Sequence, residues 1–233
     1  MSAPPVTVRV EQTREVATVK VASPLLSARC DPSGAYVIAG AQDNSLARWK
    51  IGDKTADALV GHKSWVRALA FAGKTLYSGD WAGRLIAWNY LDAKPKVQAN
   101  LDAHKGWLRA LAVSPDGKTL ASCGNDRKVR LWSLPDLKPL RTLEGHDWHV
   151  YNITFHPDGK SLVSADLRGV LREWDLSTHA VRRSLDGSVL YKYDQGFGAG
   201  IGGVRSMAFS PDGKLLACAG ITNVSNAFAG VGN

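Results

Sequence analysis

Histidine, serine and aspartate recur together along this chain, and these residue types can supply a general base, a nucleophile and an orienting carboxylate. The histidines are His62, His104 and His146, spaced 42 residues apart in both cases. A serine follows each histidine, and an aspartate follows the second serine: Ser78, Ser122, Ser164 and Asp126. One copy of such a set would suggest acyl-transfer chemistry. Three copies at a fixed interval indicate instead that the residues belong to a structural repeat.

A glycine-rich stretch, GFGAGIGG, places Gly198, Gly200 and Gly203 at the spacing of a dinucleotide-binding fingerprint. That fingerprint must follow a strand and begin a helix. The residues after it, VRSMAFSPDG, have the pattern of a strand followed by a tight turn. We therefore interpret the stretch as a flexible insertion between two repeat units, and we predict no cofactor.

The strongest candidates for metal ligands are His146, His149, His156 and Asp158. His146 already belongs to the repeat, and His156 stands at a turn position that holds serine in sister units. No pair of these residues has a ligand spacing with a third ligand fixed nearby. We therefore predict neither a metal site nor a catalytic residue.

A repeat of about 42 residues organises the elements that position these side chains. Tryptophan recurs as Trp49, Trp88, Trp132 and Trp174, and the turn sequence PDGK recurs three times. Within residues 105–146, four short segments rich in Val, Leu and Trp are separated by SPDG, GNDR and LPDL. This pattern is typical of β-strands joined by tight turns, and it has no helical periodicity. Four strands in each repeated unit predict an all-β fold of propeller blades.

The units resemble those of the WD-repeat β-propeller family, because they close in Gly-His, contain PDG turns and end a strand in RLW or REWD. The resemblance covers about residues 23–220. It implies four full blades and part of a fifth, which is an incomplete ring of a seven-bladed propeller. A unit that stops before its third strand leaves a strand edge unpaired, so we expect a longer chain or a partner chain to complete the ring. The predicted blades are about 23–62, 63–104, 105–146, 147–187 and, in part, 203–233, with 1–22 as a candidate ring-closing strand.

The resemblance also implies a buried set of His, Ser, Asp and Trp in each blade, with a structural role rather than a catalytic one. A serine can accept a hydrogen bond from the tryptophan N–H and donate one to the histidine, whose other nitrogen bonds the aspartate. Only the third unit matches completely, because Ala82 and Arg168 stand at the aspartate position of the second and fourth units. The predicted structural residues are His62, Ser78, Trp88, His104, Ser122, Asp126, Trp132, His146, Ser164 and Trp174.

An alignment of the units places aromatic and basic residues at equivalent positions, and in the family these positions face the top of the ring beside its axis. The resemblance therefore predicts an upper face that binds a partner. Trp, Tyr and Arg are also the residue types enriched in binding hot spots. Arginine stacked on tryptophan suits an acidic or phosphorylated peptide. The predicted partner-binding residues are Trp65, Arg67, Trp81, Trp107, Arg109, His149, Tyr151 and Arg205.

These observations predict a non-catalytic scaffold that binds a protein or peptide partner, including an acidic one. The net charge of +8 keeps a nucleic-acid-binding propeller open as an alternative. A propeller enzyme is a further alternative, although the first strands begin with Trp, Arg and Tyr rather than with acidic residues. The absence of a signal sequence, of a long apolar run and of an even cysteine count predicts a cytoplasmic protein without a membrane partner.

Overall fold

The structure, a computed structural model, describes residues 11, 13–15, 17–196 and 198–221. Much of the predicted ring-closing segment, and the end of the predicted fifth blade beyond 221, therefore lie outside the described residues. Residues 13–15 and 17–24 contain no strand.

Four sheets of four antiparallel strands follow one another along the chain, each with its strands in sequence order. Blade 1 contains β1 (Leu25–Cys30), β2 (Tyr36–Ala41), β3 (Ser45–Lys50) and β4 (Asp57–Val60). Blade 2 contains β5 (Val66–Ala72), β6 (Thr75–Asp80), β7 (Arg84–Asn89) and β8 (Val97–Asp102). Blade 3 contains β9 (Leu108–Val113), β10 (Thr119–Gly124), β11 (Val129–Ser133) and β12 (Lys138–Leu143). Blade 4 contains β13 (Val150–Phe155), β14 (Ser161–Asp166), β15 (Val170–Asp175) and β16 (Val181–Asp186).

Two shorter sheets follow blade 4. After a 3₁₀ turn at Ser188–Leu190, β17 (Tyr191–Asp194) and β18 (Ala199–Gly202) pair as a hairpin. The glycine-rich stretch that we interpreted as a flexible insertion thus contributes a strand to a sheet. The last described strands, β19 (Val204–Phe209) and β20 (Leu216–Gly220), pair as the start of blade 5.

The turns between strands follow from local residue chemistry. In the PDGK turn of blade 3, the Asp116 carboxylate accepts hydrogen bonds from the Ser114 hydroxyl and the Lys118 amide. The turn between the second and third strands has a residue at positive φ in each full blade; in blades 2 and 4 it is Gly83 (φ 86°) and Gly169 (φ 83°), and in blades 1 and 3 it is Asn44 and Arg127. A Cβ on Gly83 would lie only 2.0 Å from the carbonyl oxygen of His104, so glycine is also required for space.

The hydrophobic core lies between successive blades rather than inside one of them. The third-strand tryptophans Trp88, Trp132 and Trp174 are buried, and each packs in the cluster that joins its blade to the preceding one. A smaller cluster around Val204 joins blade 4 to β19. The first strands β1, β5, β9, β13 and β19 pack side by side in chain order, so the described blades form an open arc around one channel.

Candidate functional site

In blade 3 the histidine, serine, aspartate and tryptophan form one hydrogen-bonded chain. The Trp132 indole N–H donates to Ser122 Oγ at 2.9 Å, and Ser122 Oγ lies 2.8 Å from His104 Nε2. On the other side of the ring, His104 Nδ1 lies 2.8 Å from an Asp126 carboxylate oxygen. Burial lowers the pKa of His104 below its ordinary value of 6.5, which keeps the imidazole neutral at pH 7.

Blades 2 and 4 also have an aspartate, so the prediction that they lack one is wrong. Asp80 and Asp166, the last residues of β6 and β14, lie 2.8 Å and 3.0 Å from Nδ1 of His62 and His146. They stand two residues after the serine, whereas Asp126 stands four residues after it. Both positions reach the same imidazole nitrogen because the second strand ends beside the histidine. In blade 3 the earlier position is Gly124, where a Cβ would lie 2.6 Å from the Trp107 carbonyl oxygen.

These sets are closed to solvent. Each serine is fully buried, and its oxygen already accepts from a tryptophan and contacts a histidine; the pairs in blades 2 and 4 are Ser78 with Trp88 and Ser164 with Trp174. A nucleophile needs an approach path for its substrate, and a fully buried hydroxyl has none. The sets therefore stabilise the blades and do not form the candidate site.

The candidate site lies at the edge where each first strand begins and each second strand ends. A backbone hydrogen bond pins this edge in every full blade, for example from the Trp81 N–H to the Trp65 carbonyl (3.1 Å) and from the Asn125 N–H to the Trp107 carbonyl (2.9 Å). His149 occupies the same position in blade 4 and accepts a bond from the Leu167 N–H. Four of the residues that we predicted for the upper face therefore share one edge of the blades: Trp65, Trp81, Trp107 and His149.

A β-bulge at one repeated position gives the channel its lining. The pairing of the first and second strands shifts register around one residue in all five first strands. A bulge re-aims the side chain of the extra residue. The bulged residues all line the channel, and they are Leu26, Arg67, Arg109, Tyr151 and Arg205.

Aromatic rings and guanidinium groups form a continuous row from the edge of blade 2 to blade 5. The Trp65 and Trp81 ring centroids are 4.6 Å apart, and the Trp81 and Trp107 rings stack at 3.7 Å and 10°. The Arg109 guanidinium lies 4.2 Å from the ring centroids of both Trp107 and Tyr151. Arg205 extends the row, 5.3 Å from the same Tyr151 centroid.

Comparison with known proteins identifies the repeat. A family model described as "WD domain, G-beta repeat" matches residues 95–133, 137–175 and 197–223. The chain therefore contains WD repeats in three places. The first two WD matches each combine the outer strand of one blade with the first three strands of the next, β8 with β9–β11 and β12 with β13–β15. Both of these WD repeats therefore connect two neighbouring blades.

Curated relatives include proteins of the small ribosomal subunit. "Small ribosomal subunit protein RACK1y" of Oryza sativa subsp. japonica is 36% identical over 88 residues, which are 36% of this chain and 26% of that protein. "Small ribosomal subunit protein RACK1" of Drosophila melanogaster is 37% identical over 91 residues, 37% of this chain and 28% of that protein. The chain thus matches about a quarter of the length of these relatives.

The channel of this WD-repeat arc concentrates positive charge. Its cavity, about 410 Å³, is lined by Arg29, Arg67, Arg109 and Arg205, and no described Asp, Glu or His lines it. Burial lowers the pKa of Arg109 to about 10, and the charges of Arg67 and Arg205 act in the same direction. Burial and the charge of Arg205 likewise lower the pKa of Arg67. These pKa shifts mark guanidinium groups that repel one another in a confined space.

Two side-chain contacts at this edge were not predicted from the sequence. Asn125, at the end of β10, accepts a 2.7 Å hydrogen bond from Arg109 Nε and so fixes that guanidinium. Arg168 lies 3.9 Å from the Trp148 ring centroid and 5.7 Å from that of Tyr191, beside a cavity of about 700 Å³. Trp148 could have suggested this second cluster, but the tyrosine belongs to an insertion outside the repeat.

Neither a cluster of metal ligands nor a membrane-spanning helix occurs in the described residues. No group of three or more His, Cys, Asp or Glu side chains there is placed to hold a metal ion. His156, one of the residues weighed as a ligand, instead contacts Asp158 and the Gly213 carbonyl. No helix in the described part of the chain is long and apolar enough to cross a membrane.

Proposed function

We propose that this chain is a non-catalytic interaction scaffold that binds a segment of a protein partner across the upper edge of its blades. The observation that carries the proposal is the continuous row of Trp65, Trp81, Trp107, Arg109 and Tyr151. Trp, Tyr and Arg dominate binding hot spots because they bury large areas and also donate hydrogen bonds. The row is already stacked, so little side-chain entropy remains to be lost when a partner binds.

The row also contains an unused hydrogen-bond donor. The Trp81 indole N–H is buried and has no hydrogen-bond partner among the described residues. A buried donor without an acceptor costs free energy, about 1–3 kcal/mol. A shift of the Trp81 ring that brought this N–H to an acceptor of a partner peptide, such as a carbonyl oxygen, would recover that free energy and would favour binding at this place.

The geometry favours a protein over nucleic acid. Single-stranded nucleic acid binds by stacking its bases on open aromatic faces along a positively charged groove. Here the Trp81 and Trp107 rings already cover one another, and Arg109 lies over Trp107. The arginines converge on the channel instead of following a groove.

The lining of the channel also supports a non-catalytic function. General acid–base and nucleophilic catalysis rely on His, Asp, Glu, Cys, Lys, Ser or Tyr placed to exchange a proton or attack the substrate. Apart from Tyr151, Ser27 and Ser206, the polar lining consists of arginine, asparagine and threonine. None of the three exceptions has a histidine or carboxylate beside it in that lining.

The positive charge of the channel favours an acidic partner. We also propose that the protein is located in the cytoplasm. The relatives are named as proteins of the small ribosomal subunit. A ribosome-associated partner is therefore the first to examine.

Photo-crosslinking tests the proposed face directly. The full chain carries p-benzoylphenylalanine either in place of Trp81 or, as a control, in place of Arg141, which is exposed on the outer strand β12. Both proteins are irradiated in an extract of the source cells, and the captured molecules are identified by mass spectrometry. We expect a protein captured from position 81 and not from position 141, with capture resistant to nuclease.

The affinity of wild type and variant chains for the captured partner then tests whether the upper edge is the binding site. Trp107→Ala and Arg109→Ala should each weaken binding about 5- to 150-fold, which corresponds to about 1–3 kcal/mol at a hot spot. Arg141→Ala should leave the affinity unchanged. Affinities within twofold of wild type for both face variants, with the fold intact by circular dichroism, would contradict the proposal. Nuclease-sensitive capture at position 81 would favour nucleic acid instead.

A further inference from the structure

The arginines of the channel have no counter-charge among the described residues. Arg67, Arg109 and Arg205 form no ion pair with any carboxylate there, although nine ion pairs of a lysine or arginine with a carboxylate occur elsewhere in that part of the chain. The fold itself brings them together, because each is the bulged residue of its first strand. Guanidinium groups held near one another without an acid are stable only at a cost in free energy, and an anion between them would remove that cost.

The arginines are also held in place. The Arg109 guanidinium lies against both Trp107 and Tyr151, with its Nε bonded to Asn125. Arg205 lies against the same tyrosine, with its Nε bonded to the Gly202 carbonyl at 3.3 Å. In both residues the terminal nitrogens have no hydrogen-bond partner among the described residues, so these N–H groups remain available for a ligand.

The number of arginines selects the class of anion. A carboxylate carries one negative charge and two oxygens, and one guanidinium satisfies it with a bidentate pair of hydrogen bonds. A phosphoryl group carries nearly two charges and three acceptor oxygens. Three converging arginines therefore match a phosphoryl group, and they would leave charge unneutralised around a carboxylate.

The volume of the channel cavity limits the size of the ligand. The cavity volume of about 410 Å³ accommodates a side chain or a small anion, but no folded element of a partner. The Trp81–Trp107 stack adjoins this lining, because Arg109 both lines the cavity and contacts the Trp107 ring, and the rest of a peptide would run across the stack.

We propose that the channel is a phosphoryl-binding site, in which Arg67, Arg109 and Arg205 hold the phosphorylated side chain of a partner segment that lies across the upper edge. This inference rests on the proposed function and names the chemistry of the partner. The shared chemistry is that of a phosphoryl dianion, and a free phosphate compound would use the same three residues.

The test is a titration of the full chain with two probes of matched shape, phenyl phosphate and benzoate, at constant ionic strength. Arginine Nε–H signals are followed by ¹⁵N NMR, and dissociation constants are fitted to their shifts. We expect phenyl phosphate to shift the signals of Arg67, Arg109 and Arg205 and to bind at least tenfold more tightly than benzoate. Arg67→Gln, Arg109→Gln and Arg205→Gln should each weaken phenyl phosphate binding at least tenfold, and Arg141→Gln should not.

Two outcomes would overturn the phosphoryl site. Equal affinity for phenyl phosphate and benzoate would show that the three arginines do not distinguish a phosphoryl group from a carboxylate. Equal losses in the channel variants and in Arg141→Gln would show that no specific site exists. Because three separate channel variants are measured, misfolding of one leaves the other two informative.

The source of the phosphoryl group is settled with the partner captured at position 81. If phosphatase treatment of that partner abolishes its binding, the phosphoryl group belongs to the partner. If dephosphorylated partner binds as before while inorganic phosphate shifts the three arginine signals, the channel binds a free anion, and the proposal of a phosphorylated partner is overturned. In that second case the proposed scaffold function still stands, since it depends only on the affinity for the upper edge.

Discussion

Buried charge is arranged in opposite ways inside the blades and around the channel. Inside the blades, His62, His104 and His146 each contact an aspartate and a serine, and each serine accepts from a tryptophan. Around the channel, Arg67, Arg109 and Arg205 face one another, with no carboxylate among the described residues of the lining. Each arrangement recurs at one position of the blade, the histidine sets in blades 2 to 4 and the arginines in blades 2, 3 and 5, so neither results from a single accident of packing.

This difference between paired and unpaired buried groups predicts which of them stabilise the fold. A buried polar group is costly unless all its hydrogen bonds are made, and the histidine sets meet that condition completely. The channel does not, and groups that are left unpaired in a cavity are characteristic of sites that await a ligand. Removing a member of a paired set should therefore destabilise the fold, whereas removing a channel arginine should stabilise it.

The largest effect is expected for Asp80→Ala in blade 2. Asp80 is fully buried, and besides His62 its carboxylate accepts bonds from the Ala82 and Arg84 amides. The substitution leaves three donors without an acceptor, so the free energy of unfolding should fall by about 3 kcal/mol. Urea denaturation followed by tryptophan fluorescence measures this loss.

A matched control exists in blade 1. Asp43 occupies a turn like that of the other blades and bonds the Ser45 amide and hydroxyl, but it is exposed and contacts no histidine. Asp43→Ala should cost about 1 kcal/mol or less, as for a lost turn or cap bond. If the two alanine variants lost stability equally, the histidine would contribute nothing to the difference and the contrast would fail.

A smaller loss is expected for Asp126→Ala in blade 3, about 1–2 kcal/mol, because part of this carboxylate faces solvent. Burial tends to raise the pKa of Asp126, but hydrogen bonds from His104 and Arg130 outweigh it and hold the pKa below its ordinary value of 3.8. A carboxylate with a lowered pKa stabilises the fold above pH 3.8, and this stabilisation is lost as the pH falls further. The difference between wild type and variant should therefore be present at pH 7 and shrink below pH 3.8. A difference that grew on acidification would show the assignment to be wrong.

The fold could be predicted from the sequence because it repeats. The interval between tryptophans, the PDGK turns and four strand-like segments per unit are visible without structural knowledge, and the WD-repeat family model confirms the recognition. The aspartates of blades 2 and 4 could not be placed by alignment, since Asp80 and Asp166 reach the imidazole from another position of the same turn. A hydrogen bond depends on the position of the carboxylate oxygen in space, and residues from different columns of an alignment can place an oxygen at the same point.

The residues at the edge of the candidate site could be aligned from the sequence. The bulges that make other residues line the channel could not be predicted. Alignment placed Trp65, Trp107 and His149 at equivalent positions, and a backbone bond pins each of them at the same edge. The bulges that turn the arginines into the channel have no marker in the sequence, because any residue can occupy them; Leu26 and Tyr151 do so in two blades. The distinction between an aromatic edge and a cationic channel therefore required the structure.

The smallest change in the free energy of unfolding is expected for Arg67→Met. It should be a gain in stability, in contrast to the losses expected for the aspartate variants. Burial and the charge of Arg205 disfavour the charged form of Arg67, as its lowered pKa shows. Methionine keeps the length of the side chain and removes the charge. Without ligand, the free energy of unfolding should rise by about 0.5–1 kcal/mol, the usual size of a gain where a functional residue is replaced. Urea denaturation in a buffer free of phosphate measures it.

Arg48→Met is the control that makes this sign informative. Arg48 is also a buried arginine, but it bonds the Tyr90 and Asp92 carbonyls and pairs with Asp57 at 2.7 Å. Its removal leaves those acceptors unmet and should cost about 1–3 kcal/mol. If both methionine variants lost stability, Arg67 would also have acceptors that satisfy it, and the channel would be a structural feature of the ring. A gain for Arg67→Met together with a loss for Arg48→Met assigns the two arginines to different roles, because the same substitution then acts with opposite sign on a paired and an unpaired charge.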